Sequence, residues 1–381
     1  MTTGGSAAQH APVAVSTPGK LILMGEHAVV YGRPALVSAI DLRLTATFRT
    51  SSPGGRVRLE LPGLGCEAET DWAAIRAYAR GARERWEGYA ASPRAEAFRE
   101  LRGEDPVHLV KVALGEAAEH LAREGEDRGP ALTLRIDSAL PPGSGFGSSA
   151  AAAAAVIAGY LELRGAGADL AVVERLVHEV ERRQHGTPSG VDAATVLRGG
   201  LLWARAKGGA GAPLAVEPVA DRSAILGRLA VYDTGAPAEP TGAVVAAVRE
   251  RHARDRAGVE RLLDRMAAAT LAFRAALEGA QEARAGEPLA EFESCLEALG
   301  VVPPPVARIV RQIEAAGGAA KISGAGALSG AGAGALLVYH PGFVRDAGLD
   351  AGGRDPLPCL AALPAHLVRF GAAGLRRETS R

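Results

Sequence analysis

The chain is organised around Pro141-Pro-Gly-Ser-Gly-Phe-Gly-Ser-Ser149, which runs directly into six alanines. Before it, Leu132, Leu134 and Ile136 alternate with polar residues, a pattern that predicts a half-buried strand. After it, residues 150–163 are rich in alanine and leucine and predict a helix. A strand, a glycine loop and a helix N-terminus can form an anion site, because unpaired amides approach the ligand closely. The alternative is a capped helix after a tight turn.

Composition limits the class of protein. The chain has 381 residues, enough for two or three domains or one two-lobed enzyme. Lys plus Arg and Asp plus Glu number 43 each, and this balance argues against non-specific binding to nucleic acid or a membrane surface. The three cysteines lack metal-ligand spacing and are expected to be free thiols in a reducing compartment.

Residues 1–11 are polar and lack the apolar core of a signal peptide. No window approaches the ~18 uninterrupted apolar residues of a membrane span. We therefore expect a soluble, cytoplasmic protein without a membrane partner.

Early hairpin-like strands and later helices predict an α+β fold in two lobes. Within it, a turn is expected at residues 16–19, and the charged helical pattern of residues 71–102 predicts a solvent-facing excursion.

The glycine loop does not match two common nucleotide motifs. It is not a Walker loop, because no Gly-Lys-Ser/Thr ends it. Gly143-x-Gly145-x-Gly147 also lacks the spacing of the dinucleotide fingerprint. Gly324-x-Gly326 is a weak match that no suitably placed acidic residue supports. These observations argue against a nicotinamide oxidoreductase.

Several polar residues in or near turns are candidates for chemistry. The segment His185–Asp192 is too dense in turn formers for a helix interior, so Asp192 either sits beside a ligand or caps the next helix. Glu181 borders an apolar helix face and is either functional or a surface carboxylate. Glu26 and His27 are either functional or a hydrogen-bonded pair in a turn, and His185 alone is interpreted as structural.

Lysine is scarce, because arginine supplies nearly all of the positive charge. It occurs only at Lys20, Lys111, Lys207 and Lys321. Two of the four lie within glycine-containing motifs, Pro18-Gly19-Lys20 and residues 321–334. This placement suggests that those motifs need a compact ammonium group rather than a planar guanidinium.

Together these segments resemble the GHMP small-molecule kinase superfamily. Residues 18–32 resemble its first motif, residues 141–150 its phosphate loop, and residues 321–326 its third motif. Residues 185–192 resemble the segment that separates the branch acting on mevalonate from galactokinases and homoserine kinases. The motifs span most of the chain, and their combination is specific although each alone is weak.

The resemblance implies a GHMP kinase fold with an N-terminal ribosomal-protein-S5-like lobe and a C-terminal ferredoxin-like α/β lobe. We expect residues 1–11 to be a disordered extension, residues 12–220 the first lobe with the phosphate loop, and residues 221–381 the second. The implied reaction is phosphorylation of the primary hydroxyl of mevalonate by ATP with Mg²⁺. A homodimer is also implied.

The resemblance also assigns roles to single residues. Asp192 falls on the catalytic base, and Lys20 on the lysine near both that base and the transferred phosphoryl group. Ser149 and Glu181 fall on the metal positions. Glu26, His27, Asp192 and Thr241 fall on the acceptor side. Nucleotide-binding positions are matched by Lys20, Ser138, Gly143, Ser144, Gly145, Phe146, Gly147, Ser148 and Ser149.

The chain also departs from the family. After Gly326 it reads Ala-Leu-Ser-Gly-Ala-Gly where the family runs glycines into a cysteine. Gly63 stands where an asparagine often touches the base, and Gln184 replaces an apolar residue of animal enzymes. Two alternatives stay open: a kinase acting on phosphomevalonate or another small alcohol acid, and a GHMP-fold ligand sensor without turnover.

Overall fold

A computed structural model describes residues 11–50, 55–92, 101, 104–123, 129–141, 143–206, 214–344 and 357–379. The expected extension at residues 1–11 therefore lies almost wholly outside the described residues. The strands are β1 (Val13–Met24), β2 (Ala35–Thr50), β3 (Arg56–Leu61), β4 (Cys66–Asp71), β5 (Leu132–Ser138), β6 (Leu201–Ala206), β7 (Leu214–Pro218), β8 (Leu229–Asp233), β9 (Ala319–Ser323), β10 (Ala335–Tyr339), β11 (Ala365–His366) and β12 (Arg376–Glu378). The helices are α1 (Trp72–Ala91), α2 (His108–Arg123), α3 (Ser148–Leu163), α4 (Leu170–His185), α5 (Val191–Arg198), α6 (Thr241–Arg254), α7 (Arg256–Glu278), α8 (Gly286–Leu299) and α9 (Pro304–Ala315).

Two sheets divide the chain. The larger has the order β12-β1-β2-β5-β3-β4, with β6 paired to the first part of β2 and β7 paired to β6. The smaller is antiparallel, in the order β11-β8-β10-β9. The last strand, β12, returns to the larger sheet and pairs with β1. A contiguous apolar core includes residues of both sheets. Because the chain combines helices with two largely antiparallel sheets, the α+β prediction is confirmed.

Strand β1 continues through the segment where the sequence predicts a turn. Its pairing with β2 runs from Val13 to Met24, and the register shifts between Pro18 and Gly19. The turn prediction is therefore wrong, because a bulge accommodates the proline and glycine without ending the strand. The bulge leaves Lys20 immediately after an irregular point of the strand.

Helix α3 lies at the centre of the first lobe. Residues 150–161 are all buried, and the helix contacts β1, β2, α2, α4 and α5. Alanine suits this position because several elements approach the helix closely. At Gly159 the approach is closer still, since a Cβ there would lie 2.3 Å from the ring of Phe48. The central helix places its N-terminus, and the loop before it, at a fixed point.

The charged segment after β4 was predicted to face the solvent, but one side of the helix that it forms is buried. Helix α1 buries Trp72, Ile75, Ala79 and Ala82 and packs on α2 and α4. The indole of Trp86 donates a hydrogen bond to the carbonyl of Gly186 at 2.8 Å. The helix therefore supports the turn that follows α4. None of the described helices is long and apolar enough to cross a membrane.

Candidate active site

The predicted phosphate loop connects β5 to α3. Gly147 is the N-cap of α3 at φ +72°, and no side chain caps this helix. The backbone N–H of Lys20 donates to the carbonyl of Phe146 at 2.9 Å, which holds the loop against β1. A Cβ at Gly147 would lie 2.6 Å from Cγ of Lys20, so both the backbone conformation and the close approach require glycine. The loop thus presents uncapped amides beside the lysine.

A cleft of about 510 Å³ opens in front of this loop. Its walls come from both lobes: the end of β1, the phosphate loop, the turn between α4 and α5, the segment before α6 and the third glycine motif. The predicted site residues that line it are Lys20, Glu26, His27, Gly143, Gly145, Gly147, Ser148, Ser149, Glu181, Asp192 and Thr241.

Three predicted nucleotide residues direct their side chains away from the cleft. Ser144 donates its hydroxyl to Oδ2 of Asp233 at 3.1 Å, which attaches the loop to the second lobe. Phe146 is buried and meets the ring of His366 edge-on at 4.9 Å. The hydroxyl of Ser138 accepts from the backbone of Leu140 at 3.1 Å. These side chains hold the shape of the loop.

Lys20 and Asp192 form an ion pair inside the cleft. Nζ of Lys20 lies 3.2 Å from Oδ1 of Asp192, and their side chains are 5% and 32% exposed. Asp192 is in the first turn of α5, whose N-cap is Gly190, so the alternative that Asp192 caps this helix does not hold. A carboxylate that lies beside a lysine and is still accessible from the cleft can accept a proton.

Ser149, Glu181 and His185 meet beside this pair. The hydroxyl of Ser149 donates to the carboxylate of Glu181, and Nε2 of His185 lies 3.0 Å from the same hydroxyl oxygen. Glu181 is 4% exposed, and burial raises its pKa to about 8. The negative charge of Asp192 adds to the rise, whereas Ser149 and Lys20 oppose it. A buried carboxylate with a raised pKa is a position where a bound cation would be stabilising.

This arrangement fits Mg²⁺. No group of three or more His, Cys, Asp or Glu side chains that could hold a metal occurs in the described part of the chain. Mg²⁺ does not need such a cage, because it commonly binds one or two carboxylates and fills its other positions with waters and substrate phosphates. The hard oxygens of Ser149 and Glu181, beside the phosphate loop, match that preference.

Glu26 and His27 join the first motif to the third. The carboxylate of Glu26 pairs with the ammonium of Lys321, and both side chains are almost fully buried. Nε2 of His27 donates to the carbonyl of Ala325 at 2.9 Å, and burial lowers the pKa of this imidazole. His27 has φ +55°, a strained value for a residue other than glycine. The tight turn thus anchors the edge of the cleft.

The atypical third motif is held from across the cleft. The carboxylate of Glu239 accepts from the backbone of Leu328 at 2.9 Å and from the hydroxyl of Ser329 at 2.5 Å. The backbone of Gly334 also donates to Gly235 at 2.9 Å. The glycine-rich loop after Gly326 is therefore fastened to the segment that precedes α6.

Sequence reasoning missed the partners of several site residues. It did not link Lys321 to Glu26, His185 to Ser149, or Asp233 to Ser144. The scarcity of lysine was a signal for Lys321. The other pairings join residues that are distant in the chain and meet only in the folded structure. The sequence therefore contains no pattern that predicts them.

Comparison with known proteins agrees with this geometry. Residues 109–200, which include the phosphate loop and Asp192, match the model of the GHMP kinases N terminal domain. The fold and the site thus define the class: the protein is a GHMP-type kinase, an enzyme for which ATP is the co-substrate.

Full-length relatives narrow the assignment. The mevalonate kinase of Pyrococcus horikoshii is 30% identical over 347 residues, which cover 88% of this chain and 90% of the relative. That of Pyrococcus abyssi is 29% identical over 384 residues, covering 97% and 98%. The chain belongs to the mevalonate kinase family. The crystal structure of the Methanococcus jannaschii mevalonate kinase has the same fold, with a TM-score of 0.70 at 18% identity over 95% of this chain and 99% of that one.

Proposed function

We propose that the protein transfers the γ-phosphoryl group of ATP to the primary hydroxyl of mevalonate, forming 5-phosphomevalonate for isoprenoid biosynthesis. The observation that carries this proposal is the Lys20–Asp192 pair, which shares one cleft with the uncapped amides of the phosphate loop. Similarity to mevalonate kinases over most of the chain supports the choice of acceptor. A ligand sensor without turnover has no need for a base in this position.

The nucleotide side of the cleft is formed by the phosphate loop. Glycine amides at residues 143, 145 and 147, with Ser148 and Ser149, line the cleft and suit phosphate oxygens. We keep Ser138, Ser144 and Phe146 as nucleotide-side residues, contributing through their backbone because their side chains are engaged elsewhere. Lys20 faces the same end of the cleft and neutralises phosphate charge.

Phosphoryl transfer follows from the positions of the two charged groups. The acceptor hydroxyl gives its proton to the carboxylate of Asp192 as its oxygen bonds to the γ-phosphorus. The bond from that phosphorus to the bridging oxygen breaks, and ADP takes the electron pair. Lys20 lies beside Asp192 and stabilises the negative oxygens during transfer. Base and cation each supply on the order of 10²–10⁴-fold in rate.

Ser149 and Glu181 are the residues that would hold Mg²⁺. When bound, the ion would neutralise phosphate oxygens next to the helix amides. The protein's own contribution is to keep a carboxylate buried at that point, where burial has raised its pKa.

The acceptor side of the proposal consists of Glu26, His27, Asp192 and Thr241, all of which line the cleft.

We also propose that residues 12–220 and 221–381 form the two lobes, with β12 crossing back to the first. The larger sheet takes β1–β7 and the smaller β8–β11, which supports a boundary near residue 220. A homodimer in the cytoplasm, without nucleic-acid or membrane partners, completes the proposal and rests on the family resemblance and composition.

Turnover by the purified protein tests the function. ATP and Mg²⁺ are supplied with mevalonate, phosphomevalonate, galactose or homoserine, and products are followed by phosphorus NMR. We expect phosphorylation of mevalonate, with the other acceptors at least ~10²-fold poorer in kcat/KM. Faster turnover of phosphomevalonate would move the assignment to a different acceptor. Failure to phosphorylate any of the four would contradict an alcohol kinase of this class.

A further inference from the structure

The acceptor end of the cleft is bounded by one face of α6. Thr241, Gly242 and Val245 on that face line the cleft. Arg249 lies one turn beyond Val245 on the same side of the helix. Its Nη2 donates to Oγ1 of Thr187 at 2.9 Å, and Thr187 itself lines the cleft. The guanidinium therefore reaches from the second lobe to the turn that leads to Asp192.

The charge of Arg249 is not neutralised by a neighbour. No carboxylate oxygen among the described residues lies within 4 Å of its guanidinium nitrogens, and Thr187 is its hydrogen-bond partner there. Arg33, which donates to the backbone carbonyl of Tyr31, contrasts with it, because Glu260 and Asp264 both pair with Arg33. A guanidinium has five N–H donors, so Arg249 keeps several available for a ligand.

Tyr31 gives independent support for the position of Arg249. Burial raises the pKa of the Tyr31 hydroxyl, and the positive charge of Arg249 opposes that rise. The guanidinium therefore lies within electrostatic range of the short helical turn at residues 28–31. Val29 and Val30 of this turn line the cleft. Arg249 thus contacts Thr187 and lies near the turn at residues 28–31, two segments that contribute lining residues to the cleft.

The other cationic groups along the cleft are already committed. Lys20 pairs with Asp192, and the imidazole of His27 donates to Ala325. Nε2 of His185 is engaged with the hydroxyl of Ser149. Burial lowers the pKa of His178, so its imidazole is neutral near pH 7. Among the described residues Arg249 differs from these groups, because its guanidinium has no carboxylate partner and is held by Thr187, on the turn that leads to Asp192.

We propose that Arg249 binds the carboxylate of the acceptor and so makes the enzyme selective for hydroxy acids that carry their carboxylate at the far end from the phosphorylated hydroxyl. This inference rests on the proposed function, and it names the residue that recognises the acid group. Thr187 orients the guanidinium fork, which can bind a carboxylate with two parallel hydrogen bonds. Because Thr187 and Asp192 share one turn segment, anchor and base are held in a fixed relation.

Kinetics with and without the carboxylate test this inference. Arg249→Met is compared with the wild-type enzyme on mevalonate and on the triol in which the carboxylate is reduced to a hydroxymethyl group. We expect Arg249→Met to raise KM for mevalonate by about 10–100-fold, with kcat and the KM for ATP within about 3-fold. On the triol, kcat/KM should be the same for both proteins within about 3-fold.

Three further variants sharpen the result. Arg249→Lys keeps the charge but loses the fork, so its KM for mevalonate should lie between those of wild type and Arg249→Met. Thr187→Val should raise that KM by about 3–10-fold through loss of orientation. Arg254→Met, a matched control near the exposed end of the same helix, should leave all constants unchanged.

The inference and the proposed function fail in different experiments. The function fails if wild-type enzyme does not phosphorylate mevalonate. The role of Arg249 fails if Arg249→Met keeps the wild-type preference for mevalonate over the triol, or if kcat/KM falls equally on both. Calorimetric titration of wild type and Arg249→Met with mevalonate measures the same loss of affinity without turnover, and equal affinities would overturn the role.

Discussion

Two lysine–carboxylate pairs stand close together in this molecule and differ in their access to solvent. Lys20 and Asp192 are 5% and 32% exposed and face the cleft, whereas the side chains of Lys321 and Glu26 are 0% and 1% exposed. Both lysines belong to glycine motifs, and the first and third motifs are brought together by the buried pair. Similar residue types therefore serve different purposes at the two positions.

The difference is one of desolvation. Burial raises the pKa of Glu26 and lowers that of Lys321, although each favours the charged form of the other. A second carboxylate, Glu293, lies near Lys321 and accepts from the backbone of Ile322 at 3.0 Å. Removing one partner of the buried pair should therefore lower the free energy of unfolding, because the other charge is left buried and unpaired. The pair in the cleft can instead exchange a proton with a substrate. We expect substitution of Asp192 to lower mainly activity, and substitution of Lys321 to lower mainly stability.

The largest effect is expected in the cleft. Asp192→Asn keeps the size of the side chain and removes the base, so kcat should fall by about 10²–10⁴-fold. ATP affinity should stay within about 3-fold, because the phosphate loop is untouched. Steady-state kinetics and titration with a fluorescent ATP analogue measure the two quantities. Retained activity would remove Asp192 from its role and erase the contrast between the pairs.

At the buried Lys321–Glu26 pair we expect a loss of stability. Lys321→Met leaves Glu26 as an uncompensated buried carboxylate and should lower the free energy of unfolding by about 3–5 kcal/mol, measured by urea denaturation. The double variant with Glu26→Gln should recover much of this loss, since the unpaired charge is gone.

A matched surface pair provides the control for this change. Arg265 and Glu291 lie 2.7 Å apart, with side chains 49% and 42% exposed. Arg265→Met should therefore cost less than about 1 kcal/mol. Equal losses for Lys321→Met and Arg265→Met would contradict the importance given to burial.

A smaller, pH-dependent effect is expected at Glu293. Burial raises its pKa from 4.5 to about 8 in the folded protein. The folded state then binds more protons than the unfolded state between these values, so this group makes stability fall as pH rises through that window. Glu293→Gln should match wild type near pH 5 and be more stable by about 4 kcal/mol near pH 9. Urea denaturation across pH measures this, with Glu291→Gln on the same helix as a control that should not change the slope.

Much of the central architecture could be predicted from the sequence. The alternation before Pro141, the glycines and the alanine run together identify strand β5, the phosphate loop and helix α3, because local periodicity and turn chemistry are strong there. The density of turn formers before Asp192 likewise predicts the break between α4 and α5.

Other features could not be predicted from the sequence, because they depend on contacts between segments that are distant in the chain. The turn expected at Pro18 became a bulge, since pairing with β2 on both sides outweighed the local signal. Helix α1 looked exposed because its apolar residues are sparse, yet Trp86 supports the turn after α4. The partners of Lys321 and Arg249 lie far away in the chain, so no spacing could connect them.

A structure with a non-hydrolysable ATP analogue, Mg²⁺ and mevalonate tests the central claim most directly. We expect phosphates against the amides of residues 143–149 and the primary hydroxyl of mevalonate within hydrogen-bond reach of the Asp192 carboxylate. Lys20 should lie between them, and the carboxylate of mevalonate should lie on Arg249. A nucleotide bound away from this loop, or an acceptor hydroxyl remote from Asp192, would contradict the claim.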